Sequence, residues 1–249
     1  MSALAVLIVL CLAFNAYGLP SLQIIGGRDA LDNLYLYQAS LRDSLNNNKY
    51  FCSGAIISAH YVITTAQCLT ERINNPYSIN VGVGSNYLDT HVLYKASKLI
   101  VHAGYNKLLN LNDIGLIYIS EAIQNVQPIT LPTADRNYDN YPLLITGWGR
   151  LWFNGPIPNR LQEIVVKGYS QETCGRNSKD FKETHICTFT KLDEGMCQDD
   201  AGNPLVADGV LVGLVSYSLS PCGAGFPDVS TRVFYYKWWI NFHTNGSVS

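Results

Sequence analysis

The stretch FCSGAIISAHYVITT, residues 51–65, contains two short runs of β-branched, apolar and aromatic residues, Phe51–Ser58 and Tyr61–Thr65. Runs of this length and composition are typical of β-strands, and they recur along the rest of the chain. The others are Ser78–Val83, Leu99–His102, Ile114–Ile119, Leu143–Gly147, Leu161–Val166, Val210–Tyr217 and Asp228–Val233. Many short strands with few helical stretches predict an all-β barrel or sandwich.

Two features divide this strand pattern. Residues 234–244, FYYKWWINFHT, have the amphipathic spacing of a closing helix, and we expect its aromatic residues to pack against a barrel rather than form a ligand box. A boundary falls near 124–133, where Pro128 and Pro132 interrupt the strand pattern. The chain therefore divides into two strand-rich parts and a C-terminal helix.

Length and charge limit the class of partner. The chain has 249 residues, which is enough for one large domain or two small ones. Charged residues make up 14% of it and the formal net charge is -2. Because no basic patch is present in such a composition, we expect neither nucleic acid nor an anionic membrane as the partner.

The first residues have the composition of a secretion signal. Residues 1–18 contain an apolar run, Ala3–Phe14, followed by the small residues Ala16 and Gly18 in a cleavage pattern. The run is shorter than the roughly 20 residues that a membrane-spanning helix needs. We therefore predict a signal peptide and a secreted, extracellular protein.

Cysteine usage agrees with an oxidising compartment. Removing the signal peptide takes Cys11 with it and leaves six cysteines, and an even number in a secreted chain predicts disulfides. Six cysteines allow fifteen pairings, and their spacing does not choose among them. No CxxC pair occurs and the five histidines are scattered, so we expect no metal and no cofactor.

A set of ordered motifs resembles the trypsin/chymotrypsin-like serine protease family, and the match continues to the C-terminal helix. The motifs are IIGG at 24–27, FCSG at 51–54, TTAQC at 64–68, NDIGL at 112–116, GWG at 147–149, CQDDAGNPL at 197–205 and VSYS at 215–218. Each motif alone is weak. Their common order along the chain makes the resemblance specific.

The resemblance implies an all-β fold of two six-stranded antiparallel β-barrels of the chymotrypsin-like type, with a cleft between them and a C-terminal helix. We place this domain at 24–249, with barrels at about 24–125 and 133–233 and the helix at about 234–244. A short propeptide, 19–23, would precede it. The resemblance also implies a disulfide pairing, namely Cys52 with Cys68, Cys174 with Cys187 and Cys197 with Cys222.

Two of the three catalytic side chains that the family uses are absent. Ala201 occupies the position of the nucleophilic serine, and a methyl group has no lone pair or labile proton. Gln67 stands at the histidine position, and its amide cannot shuttle a proton near neutral pH. Asp113 remains at the carboxylate position, where we interpret it as a structural acid rather than an orienting residue. We expect the chain not to be an enzyme.

The loop that holds the oxyanion in this family is also altered. Asp199 replaces a glycine whose N–H points into the oxyanion hole, and this replacement is expected to turn the donor away. A carboxylate about 4 Å from an oxyanion would also repel it by roughly 4 kcal/mol. Asn203 replaces the next glycine of the family motif and adds bulk to the same loop.

The specificity pocket differs from that of trypsins at four positions. Gly195 replaces the acid at the bottom of the pocket, and Tyr217 replaces a tryptophan beside it. Ser218 and Asp228 replace two wall glycines. We expect their side chains to narrow or fill the pocket, although an Asp228 that points into an open pocket would still accept a basic residue.

Three other positions follow from the resemblance or from short patterns. Asp200 matches the acid that pairs with the new N-terminal amine of Ile24 after activation. Ser85 replaces a glutamate of calcium-binding trypsins, which argues against a calcium site. Asn245–Ser247 is an N-glycosylation sequon.

These substitutions predict a secreted pseudoprotease that acts by binding a protein partner. Among relatives, the chain resembles mite gut trypsin-like proteases, a group that includes the mite group 3 allergens, and above all the inactivated protease paralogues of the scabies mite. That resemblance implies host complement components or other host defence proteins as partners. Two alternatives are an inert allergen-like or gut-matrix protein and, with less support, a residual hydrolase. Neither the oligomeric state nor the partner follows from the sequence.

One loop is a candidate for the interaction site. Leu151, Trp152 and Phe153 are three large apolar residues beside a Gly-Pro turn, in a loop that borders the cleft in the related family. Either these side chains fold into the altered cleft and plug it, or they remain exposed and supply aromatic anchors for a partner.

Overall fold

The computed structural model describes residues 26–177, 181–189, 191–192, 194–219 and 222–248. The predicted signal peptide, the propeptide and Ile24 lie outside these residues. The described chain is built mainly of antiparallel strands in two sheets. No helix within the described ranges is long and apolar enough to cross a membrane.

The first sheet closes into a barrel. Its strands are β2 (Gln38–Asp43), β3 (Lys49–Ser58), β4 (Tyr61–Thr64), β5 (Ile79–Val83), β6 (Val92–Lys95), β7 (Lys98–Val101) and β8 (Gly115–Tyr118). Their order in the sheet is β6-β5-β2-β3-β4-β8-β7. The amide of Ala96 donates to Ile79 O on β5, and that of Ser97 donates to Tyr118 O on β8. Strands β6 and β7 are therefore one bent strand that joins both sheet ends, which gives six strands.

The second sheet closes in the same way. Its strands are β1 (Arg28–Asp29), β9 (Pro142–Gly147), β10 (Gln162–Tyr169), β11 (His185–Phe189), β12 (Pro204–Ala207), β13 (Val210–Ser218) and β14 (Asp228–Arg232). The order is β1-β10-β11-β14-β13-β12-β9, and a further pairing of β9 with β10 closes a ring of six strands. The predicted fold of two six-stranded antiparallel barrels is confirmed.

Strand β1 adds to the second barrel although it precedes the first barrel in the chain. Arg28 pairs with Glu163 of β10, and its Nε lies 2.6 Å from Glu163 Oε1. The strands of the first barrel therefore begin at residue 38 rather than near residue 24. The sequence does not signal this crossing, because a two-residue strand has no hydrophobic period.

Helices are few and short in the described chain: α1 (Ala66–Leu69), α2 (Gln171–Asn177) and α3 (Lys237–His243), with a 3-10 turn at Val233–Tyr236 before α3. Tyr236, Trp239 and Ile240 are buried in an apolar cluster that also contains Ile63 of the first barrel and Leu214 of the second. This cluster joins the two barrels and the C-terminal helix.

The C-terminal helix differs from its prediction on one face. Tyr235, Trp238 and Phe242 are 53%, 76% and 64% exposed. The expectation that the aromatic residues of this helix pack against a barrel is therefore wrong for these three. Their helical spacing places them on the face opposite the buried residues Tyr236, Trp239 and Ile240. Because both faces carry aromatic residues, the sequence pattern does not show which face is buried.

Disulfides join Cys52 to Cys68, Cys174 to Cys187 and Cys197 to Cys222. This is the pairing that the resemblance implies. The first disulfide ties β3 to α1, and the second ties α2 to β11. The third disulfide joins the loop before β12 to the segment before β14. That loop contains the altered site residues.

Candidate active site

Gln67 lies on the short helix α1 beside the junction of the barrels. Its Nε2 donates to Asp113 Oδ2 at 2.6 Å and to the carbonyl oxygen of Ser216 at 2.9 Å. Its backbone N–H donates to Asp113 Oδ1 at 2.8 Å. A neutral amide has two N–H groups, so this side chain has both of its donors occupied.

Asp113 is fully buried and collects these donors. Ser216 Oγ donates to Asp113 Oδ2 at 2.6 Å, and Thr231 Oγ1 donates to its carbonyl oxygen at 2.8 Å. Burial raises the pKa of Asp113, and the hydrogen bonds from Ser216 and Gln67 oppose that rise. The carboxyl group thus connects α1 with β13, and the backbone carbonyl of the same residue connects to β14. These contacts are those of a structural acid, and that role of Asp113 stays a prediction.

Ala201 is held in a fixed turn next to the first barrel. Its carbonyl oxygen accepts the backbone N–H of Ser53 at 3.0 Å, and its methyl group packs against the core of that barrel. Gly202 follows with φ +83°, where a Cβ would lie 2.1 Å from Ser53 O. Only glycine fits there. The turn survives, but its side chain at position 201 offers no nucleophilic atom.

Asp199 keeps a backbone conformation that favours glycine, because its φ is +67°. Its Oδ2 accepts Arg150 Nε at 2.7 Å, and its carbonyl oxygen accepts the hydroxyl of Tyr50 at 3.0 Å. The expected repulsion by a free carboxylate must therefore be corrected. The guanidinium of Arg150 compensates the charge of Asp199 and ties the oxyanion loop to the loop at 150–156.

Asn203 and Asp200 fill the base of the same loop. Asn203 is fully buried, and its Nδ2 donates to Asp200 Oδ1 at 2.7 Å. Asp200 Oδ2 accepts the N–H of Cys197 at 2.7 Å. Burial raises the pKa of Asp200 to about 7, although both hydrogen bonds lower it. The predicted pairing of Asp200 with Ile24 lies outside the described residues.

Space for these two side chains comes from glycines on the neighbouring strand and loop. A Cβ on Gly147 would lie 2.0 Å from Asn203 Nδ2, and one on Gly149 would lie 1.9 Å from Asp200 Oδ1. The bulk predicted for Asn203 is therefore accommodated by close packing on Gly147, and the loop backbone keeps its hydrogen bonds to β13.

The specificity-pocket residues bond to one another. Asp228 is 5% exposed. Its Oδ1 accepts Ser218 Oγ at 2.5 Å, and its Oδ2 accepts the backbone N–H of Met196 at 3.1 Å. Burial raises the pKa of Asp228 to about 6. The two wall residues Ser218 and Asp228 are therefore bonded to each other, and Gly195 is buried with φ +126°.

Tyr217 turns toward the second disulfide. Its side chain packs with Cys174, Cys187 and Val229, and its ring lies 6.1 Å from that of His185. It is partly buried rather than fully exposed. The tyrosine that replaces the usual tryptophan thus contributes to a satellite core beside the pocket.

The candidate interaction loop is ordered and exposed. Trp152 is 43% exposed, Phe153 is 57% exposed and Leu151 is half-buried. Asn154 N donates to Gln198 Oε1 at 3.0 Å, and the face of the Trp152 ring rests on Gly155. These exposures favour the aromatic-anchor interpretation over the plug.

Asn245 lies at the C-terminal end of α3. It is exposed and has φ +52°. The sequon is therefore accessible at its asparagine.

Two closed six-stranded barrels, with the altered triad positions between them, define a trypsin-like serine protease homologue. The Trypsin family model matches residues 24–240, and the chain belongs to that family. It is 44% identical over 221 residues to Chymotrypsin-2 of Vespa crabro, covering 87% of this chain and 98% of that protein. It is 32% identical over 240 residues to Trypsin Blo t 3 of Blomia tropicalis, covering 92% and 87%.

A solved structure gives the same result. Neuropsin, described as a serine protease expressed in the limbic system of mouse brain, superposes with a TM-score of 0.79 at 27% identity. The superposition covers 88% of this chain and 98% of neuropsin.

Sequence reasoning missed the partners of the altered residues. Arg150, which pairs with Asp199, and Ser216, which holds both Gln67 and Asp113, were not among the predicted site residues. A signal for Arg150 was present, because a new acid in a part-buried loop needs a cation or several donors nearby. Arg150 also directly follows the GWG motif of that loop.

Proposed function

We propose that this chain is a secreted trypsin-family protein that has lost peptidase activity and acts by binding another protein. The state of Gln67 carries this proposal. Its amide donates both protons to Asp113 and Ser216 and has no basic nitrogen to accept one, while Ala201 offers no atom to acylate. Hydrolysis by this family needs both functions.

Secretion is part of the proposal. Three disulfides are the usual mark of a protein that folds in an oxidising compartment, and residues 1–18 have the composition of a signal peptide. Trypsin-like proteins with disulfides are typically secreted.

The loop at 150–156 is the proposed binding site at the cleft. Arg150 bonds to Asp199 and Gln198 bonds to Asn154, so the loop is held in place before a partner arrives. An ordered loop loses less entropy on binding than a flexible one. Trp152 and Phe153 supply the exposed aromatic area on which interface hot spots commonly depend.

The partner class comes from the resemblance to inactivated mite paralogues, which points to host complement components. The test is affinity capture from plasma on the immobilised mature protein. We expect a complement component to be retained by the unmodified protein and lost from Trp152→Ala/Phe153→Ala, with the melting temperature nearly unchanged. Leu45→Ala, at a 76% exposed residue between β2 and β3, is the matched control.

Three results would redirect the proposal. Equal retention by the double variant and the control would remove the loop as the binding site. Turnover of peptide amide or ester reporters by the unmodified protein, measured beside an active trypsin-family protease, would favour the residual hydrolase. If neither turnover nor capture is observed, the result would favour an inert protein.

A further inference from the structure

Three exposed aromatic side chains follow one another along the C-terminal helical segment: Tyr235 in the 3-10 turn, and Trp238 and Phe242 on α3. They are here called the aromatic stripe. They are separated by three and four residues, which places them on one face. The rings of Trp238 and Phe242 are stacked, with centroids 5.4 Å apart and an angle of 15° between planes. The stripe extends for about 10 Å along the helix axis.

The stripe is not part of the core. The opposite face of the same helix already buries Tyr236, Trp239 and Ile240 in the core between the barrels. Adjacent exposed aromatic residues are uncommon on monomeric proteins and are enriched where proteins bind one another. Because Trp238 and Phe242 stack on each other, the surface is already formed before a partner arrives.

A negatively charged cleft of about 580 Å³ lies at the Tyr235 end of the stripe. The two are continuous, because the Tyr235 hydroxyl donates to Glu183 Oε1 at 3.4 Å and Glu183 lines the cleft. The lining contains four carboxylates and two guanidinium groups: Asp135, Asp139, Glu172, Glu183, Arg136 and Arg232. These described lining residues thus have a formal charge of -2, and Glu172 among them is already paired with Arg176.

Both arginines of the cleft are already paired. Arg232 Nη1 donates to Asp135 Oδ1 at 2.7 Å, and Arg136 Nη1 donates to Asp208 Oδ2 at 3.1 Å. In the described part of the chain, neither Asp139 nor Glu183 takes part in a salt bridge. The cleft therefore attracts a cation that comes from outside the chain.

We infer that the aromatic stripe and the cleft together bind a cationic, amphipathic segment of another protein. Apolar side chains of that segment would lie on Trp238 and Phe242, and a lysine or arginine would enter the cleft beside Glu183. A cation that stops short of the cleft would still be attracted to the face of the Trp238 ring by a cation–π interaction.

The charge of the cleft disfavours the other occupants. A second copy of this chain would bring two negative clefts close together on a protein whose formal net charge is already -2. An anionic lipid surface would meet the same carboxylates. This surface does not involve the loop at 150–156, so the inference stands independently of the proposed binding site at the cleft between the barrels.

The test uses three short fluorescent peptides and measures binding by anisotropy. One peptide has leucines along one helical face and lysines at one end, the second has glutamates for the lysines, and the third has serines for the leucines. We expect only the first to bind. Trp238→Ala/Phe242→Ala should weaken that binding about tenfold, and Glu183→Gln should weaken it about threefold.

The controls separate this surface from the loop at 150–156. Trp152→Ala should leave peptide binding unchanged, since it removes an exposed aromatic residue elsewhere. Equal binding of the lysine and glutamate peptides, or no loss in the Trp238/Phe242 variant, would overturn the inference. So would sedimentation showing a dimer that this variant abolishes, or binding to phosphatidylserine vesicles that this variant abolishes.

Discussion

At the scale of single residues, the exchange of histidine for glutamine changes the role of the site. A catalytic histidine must be free to accept a proton, whereas the Gln67 amide donates to a carboxylate and a carbonyl that belong to different parts of the chain. Asp113 is fully buried, so each lost donor removes a hydrogen bond from a carboxyl group that water does not reach. The contacts of Gln67 and Asp113 thus stabilise the junction of the barrels.

We therefore expect Gln67→Ala to lower the free energy of unfolding by about 1–3 kcal/mol, because it removes two hydrogen bonds and leaves Asp113 less well paired. Urea denaturation measures the change. Gln124→Ala is the control, since Gln124 is exposed and its side chain donates only to the neighbouring carbonyl of Ala122, and it should stay within about 0.5 kcal/mol. Equal stabilities of the two variants would rule out this role of Gln67.

Asp199 allows a second comparison at residue scale, because its left-handed backbone costs free energy that its ion pair with Arg150 offsets in part. Asp199→Gly loses the ion pair but relieves the backbone, whereas Asp199→Ala loses the pair and keeps the strain. The alanine variant should be less stable than the glycine variant by about 1 kcal/mol. Paired urea titrations decide this, and an alanine variant as stable as the glycine variant would contradict it.

At the scale of elements, several strands with apolar runs were predictable, whereas β2 was not. The runs Phe51–Ser58 and Val210–Tyr217 became β3 and β13 nearly as predicted. Strand β2 was missed because it contains the buried polar residues Gln38 and Ser40. Gln38 accepts a hydrogen bond from Thr146, and Ser40 donates one to the carbonyl oxygen of Gly82. Such partners are distant in sequence, so a local hydrophobic pattern cannot reveal them.

The buried Asp228 at the start of β14 predicts that the free energy of unfolding depends on pH. Burial raises the pKa of Asp228 to about 6 from its usual 3.8, so the native protein binds more protons here than the unfolded chain between about pH 4 and pH 6. The free energy of unfolding therefore falls as the pH rises through that window. Asp228→Asn removes this dependence.

Relative to the unmodified protein, Asp228→Asn should gain about 2–3 kcal/mol of stability between pH 4 and pH 7. Urea denaturation at several pH values gives both curves. Glu121→Gln, at an exposed position, serves as the control for the loss of one surface carboxylate. Parallel curves for Asp228→Asn would show that Asp228 titrates as an ordinary surface acid.

At the scale of the whole molecule, the site depends on topology. Gln67, Asp113 and Ala201 lie far apart in the sequence, and the order of family motifs placed them at the triad positions where spacing alone could not. The ion pair of Arg150 with Asp199 was not predictable in this way, because neither residue belongs to the family pattern. The exposed aromatic stripe was missed because two aromatic faces share one helix.

The whole site also determines what happens when the histidine and serine of the family are restored at positions 67 and 201. Gln67→His/Ala201→Ser should remain at least about 100-fold less active than an ordinary trypsin-family protease, because the altered pocket misplaces a substrate side chain. Asp228 at a wall position is still bonded to Ser218, and the Asp199–Arg150 ion pair still occupies the oxyanion loop. Reporter turnover measures the rate, and ordinary protease rates would show that loop and pocket are intact.

The loss of peptidase activity is tested most directly by a fluorophosphonate probe, which labels only an activated nucleophile. The mature protein is incubated with the probe beside an active trypsin-family protease, and both are analysed by intact mass and peptide mapping. We predict no adduct on this protein and one equivalent on the active protease. A stoichiometric adduct that maps to the cleft around Ala201 would contradict the proposed loss of activity.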